Sequence, residues 1–241
     1  MAIPESWRER GHFYEQLTAC VKVERSVAGR AVMFLVEPTR AGWRHPITPD
    51  DACRVLAEIP CADLAALDLI VMRQSTRKQH VLNPVWGRAV FAFAGAPIKG
   101  NAIVIEAVDG SPIAWPISLS PALGLELDRL RDDGHDVRRL PRRFEIRPTS
   151  QSSRNTVLHR TLLHELGHLV DRARCPENAW RRKPTVDKEA FAHRYAADAF
   201  ARLLAAGVVP FAQRLDHDDL RGCNLDPAWF METPVAIGEA P

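Results

Sequence analysis

The most regular pattern along the chain is a helical repeat of apolar residues between Arg154 and Val170. Apolar side chains three and four positions apart lie on one face of a helix. The positions concerned are Val157, Leu158, Leu162, Leu166, Leu169 and Val170. Ser152 and Ser153 stand just before the repeat and are residues typical of helix N-caps. The pattern predicts a helix over about 153–172 that packs one face against a core.

Other segments predict further helices. A second strong helical pattern covers about 186–206, after a loop with two prolines. Residues 5–20 and 121–133 also have helical spacing, and Gly134 is a suitable end for the second of these. Thr48 followed by proline predicts an N-cap for a helix that continues to Glu58.

Short runs rich in Val, Ile and Phe predict strands. They lie at Ala31–Val36, Leu67–Gln74, Gly87–Ala94 and Ala102–Val108. The alternation in Arg143–Arg147 predicts an exposed edge strand. Because strands come first and the strongest helices follow, the order favours an α+β fold over alternating β/α units.

Composition narrows the function classes. Hydrophobic residues make up 46% of the chain and charged residues 26%, and the net charge is +2. These values are typical of a soluble globular protein and give no strong case for nucleic-acid or membrane binding. Solvated positions are expected for Arg138, Arg139, Arg142, Arg143, Arg181, Arg182, Lys183, His80 and His135.

The compartment is expected to be reducing. Five scattered cysteines without a C-x-x-C pair favour free thiols. The N-terminal residues are charged and have no apolar core typical of a signal peptide, and no apolar run approaches 18 residues. We therefore expect a cytoplasmic protein, with secretion by a signal-independent route as the alternative.

The helix predicted over about 153–172 contains the pentapeptide His164-Glu165-Leu166-Gly167-His168, an H-E-x-x-H motif. Residues four apart lie on nearly the same side of a helix, so both imidazoles can bind one metal ion. Glu165 flanks that position, where a general base for the water that zinc activates is needed. Gly167 is unfavourable inside a helix, which indicates close packing there. The pattern predicts a zinc hydrolase; the alternative is an ordinary helix with solvated or hydrogen-bonded histidines.

A catalytic zinc requires a third protein ligand. The metzincin extension would place Gly three residues and His six residues after His168, but Asp171 and Arg174 stand there. A carboxylate from a later helix is the other common solution. Glu189 is the best candidate because it begins an alanine-rich helical segment, and Asp187 and Glu177 remain alternatives.

Two short motifs give the chain a family resemblance. The sequence HELGHLVD at 164–171 is followed by Glu189, Ala192, Tyr195 and Ala196. Together they resemble the gluzincin branch of zinc metallopeptidases, in particular the anthrax lethal-factor-like and ImmA/IrrE-type peptidases. The resemblance implies a hydrolase that cleaves peptide bonds with Zn2+.

The resemblance covers roughly residues 143–205. It implies His164, His168 and Glu189 as zinc ligands and Glu165 as general base. It also implies a zincin-like α+β fold, in which a twisted mixed sheet packs on the H-E-x-x-H helix and the following helix carries the third ligand.

The sequence pattern suggests a division into segments, and the resemblance implies a peptide-binding edge. Residues 1–60 would be an N-terminal helical or partner-binding region, 61–215 the metallopeptidase domain and 216–241 a loosely ordered tail. An extended peptide substrate would pair with an exposed strand edge. The candidates for that edge are Arg143–Arg147 and Gly87–Ala94.

Other candidate residues near the motif have two interpretations each. His193 replaces the acid that some gluzincins carry four residues after the third ligand, and either a hydrogen bond or contact with substrate would suit it. Tyr195 is a candidate for stabilising the oxyanion, with helix packing as the alternative. Asp171 is expected to form a local hydrogen bond or to orient the site. Asp198 is expected at the surface or beside a ligand, and His159 in a structural or exposed position.

The predicted function is zinc-dependent hydrolysis of a peptide bond with narrow protein specificity, as in a regulator or an effector. The partner is then a protein or peptide substrate, with no nucleic acid and no membrane expected. The alternative is a regulatory or interaction protein with a structural zinc site, which His193 would close as a fourth ligand.

Overall fold

The structure is a computed structural model that describes residues 17, 19–76, 85–95 and 98–232 of the 241-residue chain. The strands in these residues are β1 (Val21–Val27), β2 (Arg30–Val36), β3 (Leu69–Arg73), β4 (Gly87–Gly95), β5 (Ile98–Glu106), β6 (Ile113–Pro116), β7 (Asp136–Arg139) and β8 (Arg143–Arg147). The helices are α1 (Pro49–Leu56), α2 (Cys61–Leu64), α3 (Pro121–Asp132), α4 (Ser150–Asn155), α5 (Leu162–Arg174), α6 (Glu177–Arg182), α7 (Thr185–Ala205) and α8 (His217–Gly222). The mixed α+β class is confirmed.

The main sheet has the strand order β1-β2-β3-β5-β4. Strands β2, β3 and β5 are parallel, and the outer strands β1 and β4 are antiparallel to their neighbours. Alternating residues divide between two faces: Ile103 and Ile105 lie in the core on the helix side, whereas Ala102 and Val104 lie on the other side. This division follows from the two-residue period of a strand. The four strands that the sequence pattern predicts correspond to β2, β3, β4 and β5, which confirms those predictions.

A smaller sheet of order β6-β8-β7 packs with α3 around Leu127, Leu130 and Ile146. Strand β8 is the central strand, hydrogen-bonded to β6 on one side and β7 on the other. The prediction of an exposed edge at Arg143–Arg147 is therefore wrong. Alternation showed that one face of this strand is buried, but it carries no information about neighbouring strands.

The H-E-x-x-H helix is one continuous helical rod over 150–174. Thr149 is its N-cap and forms a capping box with Ser152, three residues before the predicted start. Between α4 and α5 the backbone forms a π-helical segment, Thr156–Thr161, with a wider turn. The predicted helix is confirmed, with an earlier cap and this additional turn.

Helix α7 packs closely on α5 at Gly167. A Cβ atom at that glycine would lie 3.0 Å from the Ala192 Cα and 3.2 Å from the Tyr195 Cβ. Both contacts are tighter than ordinary van der Waals distance, so only glycine allows the two helices this approach. The close packing predicted at Gly167 is confirmed.

Both ends of the described chain join the main core. The predicted boundary at residue 60 falls between α1 and α2, and the strands before and after it belong to one sheet. Residues 216–232, which the pattern predicts to be loosely ordered, contain α8, and Phe230 is buried in the main core. The predicted helix at 5–20 lies largely outside the described residues. Within the described part, no helix is long and apolar enough to span a membrane.

Candidate metal centre

Three of the predicted ligands converge between α5 and α7. The Nε2 atoms of His164 and His168 are 3.1 Å apart. The Glu189 carboxylate lies 3.3 Å from the His164 Nε2 atom and 3.5 Å from the His168 Nε2 atom. Residues from two helices thus form a small triangle of donor atoms around one point.

The triangle has the size that a zinc ion requires. Zinc–ligand bonds of about 2.0–2.1 Å in a tetrahedral site place the donor atoms about 3.3 Å apart. The observed separations lie close to this value: 3.1 Å between the two imidazole nitrogens, 3.3 Å from His164 to the Glu189 Oε2 atom and 3.5 Å from His168 to the Glu189 Oε1 atom. Two imidazole nitrogens and a carboxylate are also a donor set that zinc prefers. These side chains could therefore hold a divalent metal ion.

The electrostatic surroundings keep the histidines neutral. Burial, followed by the nearby charges of His168, His193, Arg129 and Arg160, lowers the pKa of His164 to about 3. Burial also lowers the pKa of His168, although the Glu189 carboxylate opposes the shift. Unprotonated imidazole is the form that binds a metal, so the ligands are prepared for metal at neutral pH. The Nδ1 atom of His164 is buried and has no hydrogen-bond partner in the described residues, so the ring is oriented by packing and by the contacts of its Nε2 atom.

Glu165 lies at the edge of the main sheet. Its Oε2 atom accepts a hydrogen bond of 2.7 Å from the backbone N–H of Ala89 in β4. The pKa of Glu165 is raised to about 7, mainly by burial; the Ala89 N–H opposes the rise and the charge of Glu189 adds to it. A carboxyl group with a pKa near neutrality can both accept and return a proton.

His193 lies next to the triangle on the exposed side of α7. Its ring centroid is 4.5 Å from that of His164. Ligand atoms of His164, Glu189 and His193 also lie within 4.8 Å of one another, so His193 belongs to the cluster. Its exposure leaves it accessible to a molecule approaching the cluster.

The Tyr195 hydroxyl donates a 3.2 Å hydrogen bond to the buried carboxylate of Asp63. Burial and that carboxylate raise the pKa of Tyr195. The ring packs beside Gly167, as the packing interpretation predicts. A role in stabilising an oxyanion stays a prediction that requires this hydroxyl to leave Asp63.

The alternative carboxylates have other surroundings. Glu177 forms ion pairs with Arg172 and Arg181, and Asp187 is exposed in the first turn of α7. Asp171 is buried and bound by Lys183, with Nζ–O distances of 2.6 and 2.7 Å. These contacts leave Glu189 as the carboxylate in the triangle.

The remaining candidates lie away from the cluster. Asp198 is exposed, and the His159 ring packs 5.2 Å from Phe200, in agreement with a structural role. His135 is buried and hydrogen-bonded to Ser152 and Thr156, so the prediction of a solvated loop histidine is wrong there. His80 lies outside the described residues.

Sequence reasoning missed two contributors to the site. The Ala89 N–H is a backbone group, and the amino-acid type at a position does not indicate which side chain its backbone N–H will contact. Arg129, on α3, brings a positive charge that lowers the pKa values of both His164 and His193. It comes from a segment with no motif of its own, so nothing in the sequence connected it to the histidines.

Comparisons with family models, with curated proteins and with solved structures gave no match to this chain. The functional argument therefore depends on the residues of the site.

Proposed function

We propose that the chain is a zinc-dependent peptidase of zincin type that hydrolyses a peptide bond in a narrow set of proteins. The observation that carries the proposal is the triangle of His164, His168 and Glu189 with Glu165 beside it. A metal bound there supplies Lewis-acid polarisation of a carbonyl group and makes a water molecule more acidic.

Glu165 is the residue that moves the proton in this proposal. It would accept a proton from the attacking water and deliver it to the leaving amine. Its raised pKa suits both steps, because the carboxyl group exchanges its proton near neutral pH. The hydrogen bond from Ala89 holds the Oε2 atom in position before substrate arrives.

Strand β4 supports a peptide substrate. It is the last strand of the main sheet in the described residues, and the Ala89 N–H points away from β5 toward Glu165. An exposed strand edge binds extended peptide by adding a strand, and at Ala89 the peptide would replace Glu165 as the acceptor of the N–H. Of the two edges that the sequence suggested, Gly87–Ala94 is the one beside the candidate metal centre.

A structural zinc site is the second candidate function, and His193 is the observation that favours it. Its proximity to His164 and Glu189 would allow a fourth protein ligand and a closed site. Its exposure favours the peptidase instead, because an exposed imidazole beside the cluster can contact substrate and support the oxyanion.

The test of peptidase activity compares wild type with Glu165→Gln on a library of internally quenched peptides, with zinc content measured for both. We expect both proteins to retain one zinc and the variant to lose hydrolysis by at least about a hundredfold. Equal rates for the two proteins would remove Glu165 as the base. Absence of hydrolysis by zinc-loaded wild type on peptides and proteins alike would favour the structural site.

A further inference from the structure

A wall of aromatic and cationic side chains lies beside Phe91, in the middle of β4. The rings of Phe91 and Trp180 meet edge to face, with centroids 4.8 Å apart. The Arg172 guanidinium lies 4.8 Å from the Phe91 centroid and 5.3 Å from that of Trp180. The Lys188 ammonium lies 3.8 Å from the Trp180 centroid. We call these four residues the cationic wall.

The cationic wall is next to the metal ligands. Arg172 follows His164 and His168 at intervals of four residues, so the three side chains form one stripe along α5. Lys188 directly precedes Glu189 on α7, and its charge acts on His168. A peptide that pairs with β4 at Ala89 would therefore reach the wall within a few residues of the scissile bond.

The wall has positive charge that its own neighbours do not neutralise. Arg172 forms an ion pair with Glu177 at 3.2 Å, whereas Lys188 has no ion-pair partner in the part of the chain that the structure describes. The Trp180 Nε1–H group is likewise buried without an acceptor among these residues. A cation without an ion-pair partner is available to a carboxylate, which forms charge-assisted hydrogen bonds with an ammonium group.

We propose that the cationic wall is a specificity subsite that binds an acidic side chain of the substrate close to the scissile bond. This proposal rests on the proposed function in that the bound molecule is a peptide. The aromatic rings supply apolar contact for the carbon atoms of an Asp or Glu side chain, and Lys188 and Arg172 receive its carboxylate. The substrate class is then an acidic segment of a protein in extended conformation.

The experiment measures peptide binding without turnover. Zinc-loaded Glu165→Gln protein is titrated with fluorescein-labelled ten-residue peptides that carry Glu, Gln or Lys at one position at a time and have an amidated C-terminus. Fluorescence anisotropy gives Kd. We expect one or two positions at which Glu binds roughly tenfold more tightly than Gln.

Three variants in the Glu165→Gln background locate the preference. Lys188→Gln should remove most of it, and Lys188→Glu should shift it toward Lys-containing peptides, a gain that a folding defect cannot produce. Arg182→Gln is the matched control, because Arg182 is an exposed cation on α6 that donates to the Asn178 carbonyl outside the wall. Loss of the preference in the control as well, or its persistence in both Lys188 variants, would overturn the subsite.

Two further arms separate the possible failures. Peptides with a free C-terminus test whether the carboxylate is that of the chain end; a preference confined to them would overturn the side-chain proposal. Wild-type protein is assayed for cleavage of the same peptides. Cleavage without a preference for Glu overturns the subsite and leaves the peptidase, whereas selective binding without cleavage supports the subsite and contradicts the peptidase.

Discussion

Two polar clusters on the same helical rod differ in one respect: whether the polar atoms of each cluster find all their hydrogen-bond and ion-pair partners within it. At one end, the buried Arg154 guanidinium donates to Asp51 at 2.7 Å and to the Phe211 carbonyl at 2.8 Å. At the other, His164, His168 and Glu189 direct three donor atoms at one point. Protons on the two imidazoles cannot satisfy all three contacts, whereas a single cation can.

The difference separates structural polar groups from functional ones. A buried ion pair whose hydrogen bonds are complete stabilises one packing arrangement and needs nothing from outside. A cluster whose polar atoms lack partners is stabilised when it binds a cation, because the cation supplies the missing contacts. We therefore assign the Arg154 cluster to the fold and propose a functional role for the histidine cluster.

The largest effect is expected at the closed cluster. Arg154→Met leaves the Asp51 carboxylate buried without its partner, which should lower the free energy of unfolding by about 3–5 kcal/mol. Urea denaturation of the metal-free proteins measures it. The Arg154→Met protein that still folds should bind zinc with the wild-type affinity. Adding Asp51→Asn to Arg154→Met should recover part of the lost stability, because it removes the unpaired charge. A large fall in zinc affinity would show that the clusters are not independent.

The converse effect is expected at the open cluster. Glu189→Gln should weaken zinc binding by at least about a hundredfold, because it removes a ligand, while the stability of the metal-free protein changes little. Competition with a chromogenic chelator measures the affinity. Asp187→Asn is the matched control on the same helix, since that carboxylate is exposed. Equal affinities for Glu189→Gln and wild type would exclude Glu189 as a ligand.

A smaller effect is expected where α5 meets α7. Gly167→Ala places a methyl group 3.0 Å from the Ala192 Cα, so the helices must separate slightly. We expect a loss of about 1–3 kcal/mol in stability, as for an overpacked core, together with weaker zinc binding because Glu189 moves with α7. Thermal unfolding with and without zinc tests this. Gly124→Ala, at a helical glycine with open space around it, should leave zinc binding unchanged and raise stability by up to about 1 kcal/mol through helix propensity.

The effect that is smallest near neutral pH is a pH dependence from a buried histidine far from the metal site. Burial lowers the pKa of His45 to about 4, although its Nε2 bonds to the Glu37 carbonyl at 2.8 Å. Above pH ~6.5 the folded and unfolded states are both neutral at this position. Below pH ~6.5 the unfolded state binds the proton first. The free energy of unfolding therefore decreases as the pH is lowered, by up to about 1.4 kcal/mol per pH unit, until pH ~4.

The difference between wild type and His45→Gln isolates that contribution from the other histidines. The slope of unfolding free energy against pH, measured between about pH 4 and 6.5, should be shallower in the variant. Identical slopes would show that His45 takes up its proton in the folded state.

Local signals in the sequence predicted local structure well. The N-cap at Thr48 and the close contact at Gly167 were both readable from a few neighbouring residues. The H-E-x-x-H spacing identified the paired histidines for the same reason. Glu189 could be predicted only as one of three carboxylates, because its position depends on how α7 packs against α5.

Nonlocal features were beyond such signals. Strand β1 was missed because half of its residues are polar and face outward. The central position of β8 depends on β6 and β7, which have little pattern of their own. The hydrogen bond between Ala89 and Glu165 joins a backbone group to a side chain 76 residues away, and only the folded chain reveals it.

The most direct test of the central claim is zinc stoichiometry combined with X-ray absorption spectroscopy of the zinc-loaded wild-type protein. We predict one zinc per chain, bound by two imidazole nitrogens and a carboxylate oxygen, with a light atom that the protein does not supply in the fourth position. Failure to bind zinc stoichiometrically would contradict the metal centre. A third imidazole in the coordination sphere would contradict the open site, because it would identify His193 as the ligand that closes it.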